Sequence, residues 1–158
     1  MGNKSFQKLP PRSIRAWQWG NGLGNLYLIA LPILYSLFFF DNLNLSILIP
    51  LVLFVLTIWI SSVSWYPYLK WKHWRYGIDE DEIHLIRGVV VKRETLIPLN
   101  RVQHVDTRQG PLLKWYKLSS VSISTAATTH EIPNLDEIIA GRVRSTISNN
   151  ARLAKEDV

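Results

Sequence analysis

The densest polar cluster in the second half of the chain is formed by residues 104–108, and its side chains are of the types that acid–base catalysis uses. His104 could act as a general base, and Asp106 could orient it. Residues two apart on a strand share a face, but this spacing does not fix the geometry that proton transfer requires. The sequence also has no G-x-S-x-G nucleophile motif. We therefore expect no catalytic residues and interpret the cluster as a structural or binding surface.

Two further patterns could bind a metal or a cofactor, and neither is complete. Glu82 and His84 can share one strand face, but a metal site needs three or four converging ligands. Gly20, Gly22 and Gly24 loosely resemble a phosphate-binding loop, but such a loop needs a preceding strand and a βαβ unit. The chain has no cysteine, which excludes disulfides, zinc ribbons and thiol nucleophiles. We expect no metal and no cofactor.

One short segment combines basic and aromatic side chains in a way that favours binding. Lys114 and Lys117 flank Trp115 and Tyr116, and such a loop could contact lipid headgroups or a protein partner. The alternative is that Trp115 packs in the core. The Ser/Thr-rich run 119–129 is interpreted as the outward face of one strand and the start of the next.

The positive charge of the protein is unevenly distributed along the chain. The net charge is +6, of which residues 1–72 carry +5 and residues 73–158 carry +1. A nucleic-acid-binding protein concentrates its positive charge on the folded domain. Here the basic residues flank apolar segments, which is the positive-inside pattern of membrane proteins. We expect no nucleic-acid partner and no strong phosphoinositide pocket in the nearly neutral second half.

Two uncharged apolar runs, at about 23–40 and 43–65, predict a transmembrane helical hairpin over residues 23–66. Asp41, in the connecting turn, is the only charge between them. Pro32 and Pro50 predict local kinks, or a later start of the second helix near Pro50. The alternative, a buried helix pair of a soluble protein, would need a far larger protein to cover it.

The flanking residues predict how the hairpin is oriented. The basic arm at residues 1–22 has four Lys/Arg and no acid, and further cations follow the second run. Both termini are therefore expected on the cytoplasmic side of a membrane that the chain crosses more than once. The predicted interface anchors are Trp17, Trp19, Trp65, Tyr66, Lys70 and Lys72. Trp71 and Trp74 are either further anchors or part of a domain core.

From residue 73 onward, short β-like runs alternate with turn signals. The predicted strands are 74–78, 83–86, 89–97, 101–108, 118–126 and 128–132. Asn134 then predicts the N-cap of an amphipathic helix of about three to four turns, with Glu137 completing a capping box. Its apolar positions are Leu135, Ile138, Ile139, Val143 and Ile147. The pattern indicates a small barrel or sandwich over residues 73–150, covered at one open end by the helix, and a flexible tail at 151–158.

Several segments of this region are distinctive, namely residues 74–76, 89–90, 97–105, 109–113 and 132–134. In them the chain resembles the bacterial pleckstrin-homology-like (PH-like) membrane proteins of the YdbS type. The resemblance implies an α+β membrane protein in which a transmembrane hairpin precedes a PH-like split β-barrel or sandwich capped by a C-terminal helix. It also implies no known catalysis, and it implies association with a larger membrane protein carrying several such domains, or self-association into a ring.

The leading hypothesis is a non-catalytic scaffold or assembly protein that binds protein partners at the cytoplasmic face of the membrane, through a strand edge or a loop. One rival is a lipid- or small-ligand-binding module that uses Lys114, Trp115 and Lys117. Another is an accessory subunit of an envelope transporter or enzyme. Two spans without intramembrane charge make a poor pore or pump alone.

Overall fold

The computed structural model describes residues 6–39 and 44–156. The connecting turn of the hairpin, with Asp41, lies outside the described residues, and so does Lys4 of the basic arm. The chain divides into two compact units. One is Trp17–Tyr68, and the other combines the described parts of Met1–Ala16 and Leu69–Val158.

The second apolar run forms a helix that is longer than predicted, whereas the first run is divided among three helical elements. The helical elements are α1 (Arg12–Gly24), a 3-10 turn (Leu26–Ile29), α2 (Ala30–Phe38) and α3 (Leu45–His73). Pro50 lies inside α3, so the prediction of a helix starting near Pro50 is wrong. A proline removes one backbone hydrogen bond, and a helix in an apolar environment tolerates that loss.

Within Trp17–Tyr68, polar contacts join the two helical segments. Asn21 donates to the Ser62 carbonyl oxygen, Asn25 donates to Ser62 Oγ, and both distances are 3.0 Å. The indole of Trp59 donates to the Gly22 carbonyl oxygen at 3.3 Å. Most large apolar side chains of this unit are exposed, and two helical stretches of the described chain are long and apolar enough to cross a bilayer. Small residues and interhelical hydrogen bonds on the inside, with apolar residues outside, are typical of a transmembrane helix pair.

Seven strands in the described chain form two antiparallel sheets. The first has the order β1 (Gln7–Lys8), β2 (Arg75–Ile78), β3 (Glu82–Arg87) and β4 (Arg93–Pro98). The second has the order β5 (Val102–Arg108), β6 (Leu118–Thr125) and β7 (Thr129–Asp136). A 3-10 turn at Leu99–Arg101 joins the sheets. The short helix α4 (Pro111–Trp115) connects β5 to β6. The predicted split sandwich is confirmed.

The C-terminal helix α5 runs over Glu137–Glu156 and packs on the second sheet and the 3-10 turn. Its buried stripe is Ala140, Val143, Ile147 and Ala151. The predicted flexible tail is therefore wrong for residues 151–156, because the stripe continues to Ala151. The predicted N-cap is wrong as well. Asn134 is buried within β7 with a φ of 53°, and the helix begins at Glu137.

The β-branched run at 89–91 does not form the start of a strand. Gly88 has a φ of 118°, and a Cβ there would lie 2.0 Å from the Val91 carbonyl oxygen, so only glycine fits this turn. Val90 is 95% exposed, and β4 begins only at Arg93. The prediction of a strand over 89–97 is wrong for its first four residues, because turn geometry overrides their β propensity.

The N-terminal segment is part of the folded domain, so the prediction of a separate basic arm over residues 1–22 is wrong for residues 7–16. β1 pairs with β2, and Tyr76 donates its hydroxyl to Gln7 Oε1 at 2.7 Å. Leu9 is 1% exposed, and its carbonyl oxygen accepts from the Trp71 indole at 2.8 Å. Trp74 is buried, so of the two alternatives for this residue, interface anchor or domain core, the structure supports the core.

The serine face of β6 is buried rather than outward, contrary to prediction. Ser119, Ser120 and Ser122 are all buried. Ser13 donates to the Asn134 carbonyl oxygen at 2.9 Å, and the Asn134 amide donates to Ser120 Oγ at 3.3 Å. The N-terminal segment therefore reaches this face through Asn134. The hydroxyls of Ser119 and Ser120, which were predicted to face water, take protein partners instead.

Replacing Leu9 by alanine tests whether the N-terminal segment belongs to the domain core. We expect Leu9→Ala to lower the free energy of unfolding by about 2–5 kcal/mol, because it removes a fully buried side chain and leaves a cavity. Val90→Ala, an apolar truncation at an exposed site, should change it by less than about 0.5 kcal/mol. Denaturant unfolding of the full chain in detergent measures both. Equal effects of the two substitutions would contradict the assignment.

A candidate docking groove

The segment that carries Lys114, Trp115 and Lys117 is fixed at both ends by backbone hydrogen bonds. Pro111 occupies the first turn of α4, and Lys117 adopts a φ of 54° directly after it. The Lys117 amide donates to the Lys114 carbonyl oxygen at 3.1 Å, and the Lys117 carbonyl oxygen accepts from the Glu137 amide at 3.2 Å. The segment is thus tied to the first residue of α5.

Trp115 points away from the core. Its side chain is 84% exposed, and Lys114 and Lys117 are exposed beside it. The alternative that Trp115 packs in the core is therefore wrong. A large aromatic side chain held on a fixed loop in water is unusual unless it has a binding role, since Trp is strongly enriched at interface hot spots.

A cationic hollow of about 520 Å³ lies next to Trp115. The residues that line it are Pro11, Arg12, Arg15, Trp115, Tyr116 and Lys117. Sequence reasoning counted Arg12 and Arg15 only as flanking charges. Their three-residue spacing places them on one side of α1, and this is the signal that could have joined them into a site.

A second hollow, of about 640 Å³, carries apolar residues and both signs of charge. It is lined by Pro10, Pro11, Arg12, Lys117, Asp136, Glu137, Ile138, Ile139 and Arg142. Ile138 is 73% exposed and Ile139 is 37% exposed, so the assignment of both to the buried helix stripe is wrong. Ala140 takes the buried position instead. The two hollows share Pro11, Arg12 and Lys117, and we call them together the Lys117 groove.

Acidic groups lie only in the second hollow of the Lys117 groove. There Asp136 and Glu137 line the same wall as the exposed isoleucines. Burial of Tyr76, with a smaller contribution from the negative charge of Asp136, raises the pKa of the Tyr76 hydroxyl. The groove thus offers cations, carboxylates and apolar surface within one concavity.

The other residues singled out in the sequence lie apart from the groove. His104 Nε2 is 3.1 Å from Asp106 Oδ1, but His104 is largely exposed and Asp106 half-exposed on β5, so water competes for both groups. The predicted interface anchors are all helical: Trp17 and Trp19 are in α1, and Trp65, Tyr66, Lys70 and Lys72 are in α3. Their role at a membrane surface stays a prediction.

Comparison with known sequences identifies the family. The model of the family described as "Bacterial PH domain" matches residues 27–151, well over half of the chain. The chain belongs to the bacterial PH domain family. It is 48% identical over 99 residues to the "UPF0699 transmembrane protein YdbS" of Bacillus subtilis, a match covering 63% of this chain and 62% of that protein. This bacterial PH-domain protein therefore has a transmembrane relative, which agrees with its two apolar helices.

A second relative is much longer. The chain is 32% identical over 72 residues to the "UPF0699 transmembrane protein YdbT" of Bacillus subtilis. That match covers 46% of this bacterial PH-domain chain but only 14% of YdbT. The chain thus spans less than two thirds of the length of both relatives. No solved structure matches it.

Proposed function

We propose that this protein is a non-catalytic, membrane-anchored assembly protein whose PH-like domain docks a protein partner through the Lys117 groove. The observation that carries the proposal is Trp115, which is 84% exposed at the end of α4, in a groove whose second hollow is lined by the exposed Ile138. Aromatic and arginine side chains dominate interface hot spots, and the groove contains Trp115, Arg12 and Arg142.

The charge of the groove favours a protein partner over a lipid surface. Asp136 and Glu137 would be repelled by anionic headgroups, and the exposed isoleucines between them and Arg142 need an apolar counterpart. A protein partner can match both signs of charge within one contact, and such complementarity fixes the register of an interface.

The partner class we infer is a larger membrane protein with bacterial PH domains, or a second copy of this chain. Similarity to a segment amounting to 14% of YdbT supports the first alternative, because that segment is embedded in a far longer transmembrane protein. Two partners anchored in one bilayer meet at a high effective concentration, so a groove of modest size is sufficient for stable association.

We place the domain at the cytoplasmic face of a bacterial inner membrane, with both termini inside. The support is the distribution of charge, since residues 1–72 carry six Lys/Arg and one acid, and all six cations lie outside the apolar runs.

A second candidate function rests on the first hollow alone. Arg12, Arg15 and Lys117 line it beside Trp115 without a carboxylate among its lining residues. This composition suits an anionic lipid headgroup, with the Trp115 ring at the level of the headgroups.

The partner proposal predicts cross-linking from position 115. A photoreactive phenylalanine analogue replacing Trp115 in the full chain should give one discrete adduct in host membranes, identified by mass spectrometry as a larger PH-domain protein or a second copy. The same analogue at Val90, which is 95% exposed, should give none. In addition, Trp115→Ala should weaken recovery of that partner about 30-fold or more, as expected for a hot spot worth at least 2 kcal/mol.

The thermal stability of Trp115→Ala serves as its control, because an exposed side chain contributes little to folding. An unchanged midpoint together with lost partner recovery supports docking. Identical adducts from positions 115 and 90, or full recovery of the partner by the alanine variant, would contradict it.

The topology proposal predicts that tags at both termini survive protease added outside spheroplasts. The physical reason is that Lys/Arg-rich flanks are retained on the cytoplasmic side. After the membrane is permeabilised, both tags should be digested. Digestion of either tag in intact spheroplasts would overturn the assignment.

The lipid proposal predicts a loss of bound anionic lipid from a triple variant. Replacing Arg12, Arg15 and Lys117 by glutamine should weaken phosphatidylglycerol binding about 100-fold, at about 1 kcal/mol for each cation near a headgroup. Native mass spectrometry of the full chain in mixed phosphatidylglycerol–phosphatidylethanolamine micelles measures the retained lipid. Glutamine at Lys92, Arg93 and Arg144 makes the same charge change outside the groove and should have little effect. An equal loss of bound phosphatidylglycerol in both triple variants would contradict the lipid proposal.

A further inference from the structure

The structure assigns a divalent transition-metal site to Asp79, Glu82 and His84, at the turn between β2 and β3. Their ligand atoms all lie within 4.8 Å of one another. The sequence pattern offered only Glu82 and His84, on one strand face. The fold adds Asp79 as a third ligand, because the hairpin turns back on itself at this point.

The distances suit a metal's first shell. His84 Nε2 lies 3.5 Å from Asp79 Oδ2 and 2.8 Å from Glu82 Oε1. Ligands at about 2.0–2.2 Å from a tetrahedral ion stand about 3.3–3.5 Å apart. The first distance already has this value, and the second needs to open by about half an ångström. A water molecule would complete the four-coordinate shell, as in zinc sites with three protein ligands.

The imidazole is held in place before any ion binds. His84 is 2% exposed, and the ring of Phe6 packs edge-on against it with centroids 6.1 Å apart. On the other side of the ring, Glu94 Oε1 lies 4.0 Å from Nδ1. This distance is beyond that of a hydrogen bond, but the negative charge of the carboxylate favours the tautomer that carries its proton on Nδ1 and leaves Nε2 as the ligand.

The backbone of the turn is fixed independently of these side chains. The Asp79 amide donates to the Glu82 carbonyl oxygen at 3.0 Å, and the Leu99 amide donates to the Asp81 carbonyl oxygen at 2.9 Å. The two carboxylates are therefore kept close together despite their like charges. A divalent cation with a neutral imidazole neutralises both carboxylates, whereas an imidazolium neutralises only one.

The donor set selects the class of metal. One imidazole nitrogen with two carboxylate oxygens suits Zn²⁺, Mn²⁺ or Fe²⁺, whereas Mg²⁺ and Ca²⁺ prefer oxygen ligands alone. We therefore expect Zn²⁺ to bind more tightly than Mg²⁺. We also expect the bound ion to stabilise the β2–β3 hairpin.

Calorimetric titration of the full chain in detergent tests the site, after removal of any histidine tag and treatment with a chelator. Zn²⁺ should bind saturably with one ion per chain, and Mg²⁺ should not compete at equal concentration. Asp79→Asn and Glu82→Gln should each weaken Zn²⁺ binding about tenfold or more. The side chains of Asp79 and Glu82 are partly exposed, so these variants are expected to fold. Replacing the buried His84 would destabilise the core.

Two matched variants distinguish a specific metal site from non-specific attraction of Zn²⁺ to acidic side chains. Glu80→Gln removes one charge from the same acidic turn without removing a ligand, and His104→Gln disrupts the other histidine–carboxylate pair. Both should leave Zn²⁺ affinity within about twofold, which is well below the loss expected for a ligand. Bound Co²⁺ should show visible d–d bands that Glu82→Gln abolishes. Absence of stoichiometric Zn²⁺ binding, or an equal loss in Glu80→Gln and Glu82→Gln, would overturn the proposal.

Discussion

The contact on which the domain depends is a chain of two hydrogen bonds from Ser13 through Asn134 to Ser120. It connects the first turn of α1 to β7 and then to β6, the central strand of the second sheet. All three residues are buried. Asn134 takes part through its backbone carbonyl oxygen and backbone amide, whereas the two serines use their hydroxyls. Loss of either hydroxyl would leave a buried backbone group of Asn134 without its partner, which costs more free energy than the hydrogen bond itself contributes.

This link explains why β6 carries serines where a typical central strand carries β-branched residues. Ser120 and Ser122 are small and share one face of β6, so another segment can approach the sheet there, while the buried Ser119 lies on the opposite face. Their hydroxyls then need acceptors or donors within the protein. Ser119 donates to the Arg108 carbonyl oxygen at 3.2 Å, and Ser120 accepts from Asn134. Asn134 makes this possible with a φ of 53°, a region that asparagine tolerates better than most residues.

The sequence predicted the elements whose signal is local and missed those that depend on distant contacts. The apolar runs, the strand alternation and the helical stripe each carry their own periodicity, so the hairpin, the split sandwich and α5 were predictable. The pairing of Gln7–Lys8 with β2 spans nearly seventy residues and has no local signature. The same holds for the burial of the β6 serines, which depends on a segment more than a hundred residues away.

The candidate groove shows the same division. Lys114, Trp115 and Lys117 are adjacent in sequence, and their composition alone suggested a binding loop. Arg12 joins them only because the N-terminal segment folds back onto the domain. Ile138 and Ile139 were misassigned because apolar character alone does not fix the phase of the buried stripe, and packing against the sheet selects the smaller Ala140.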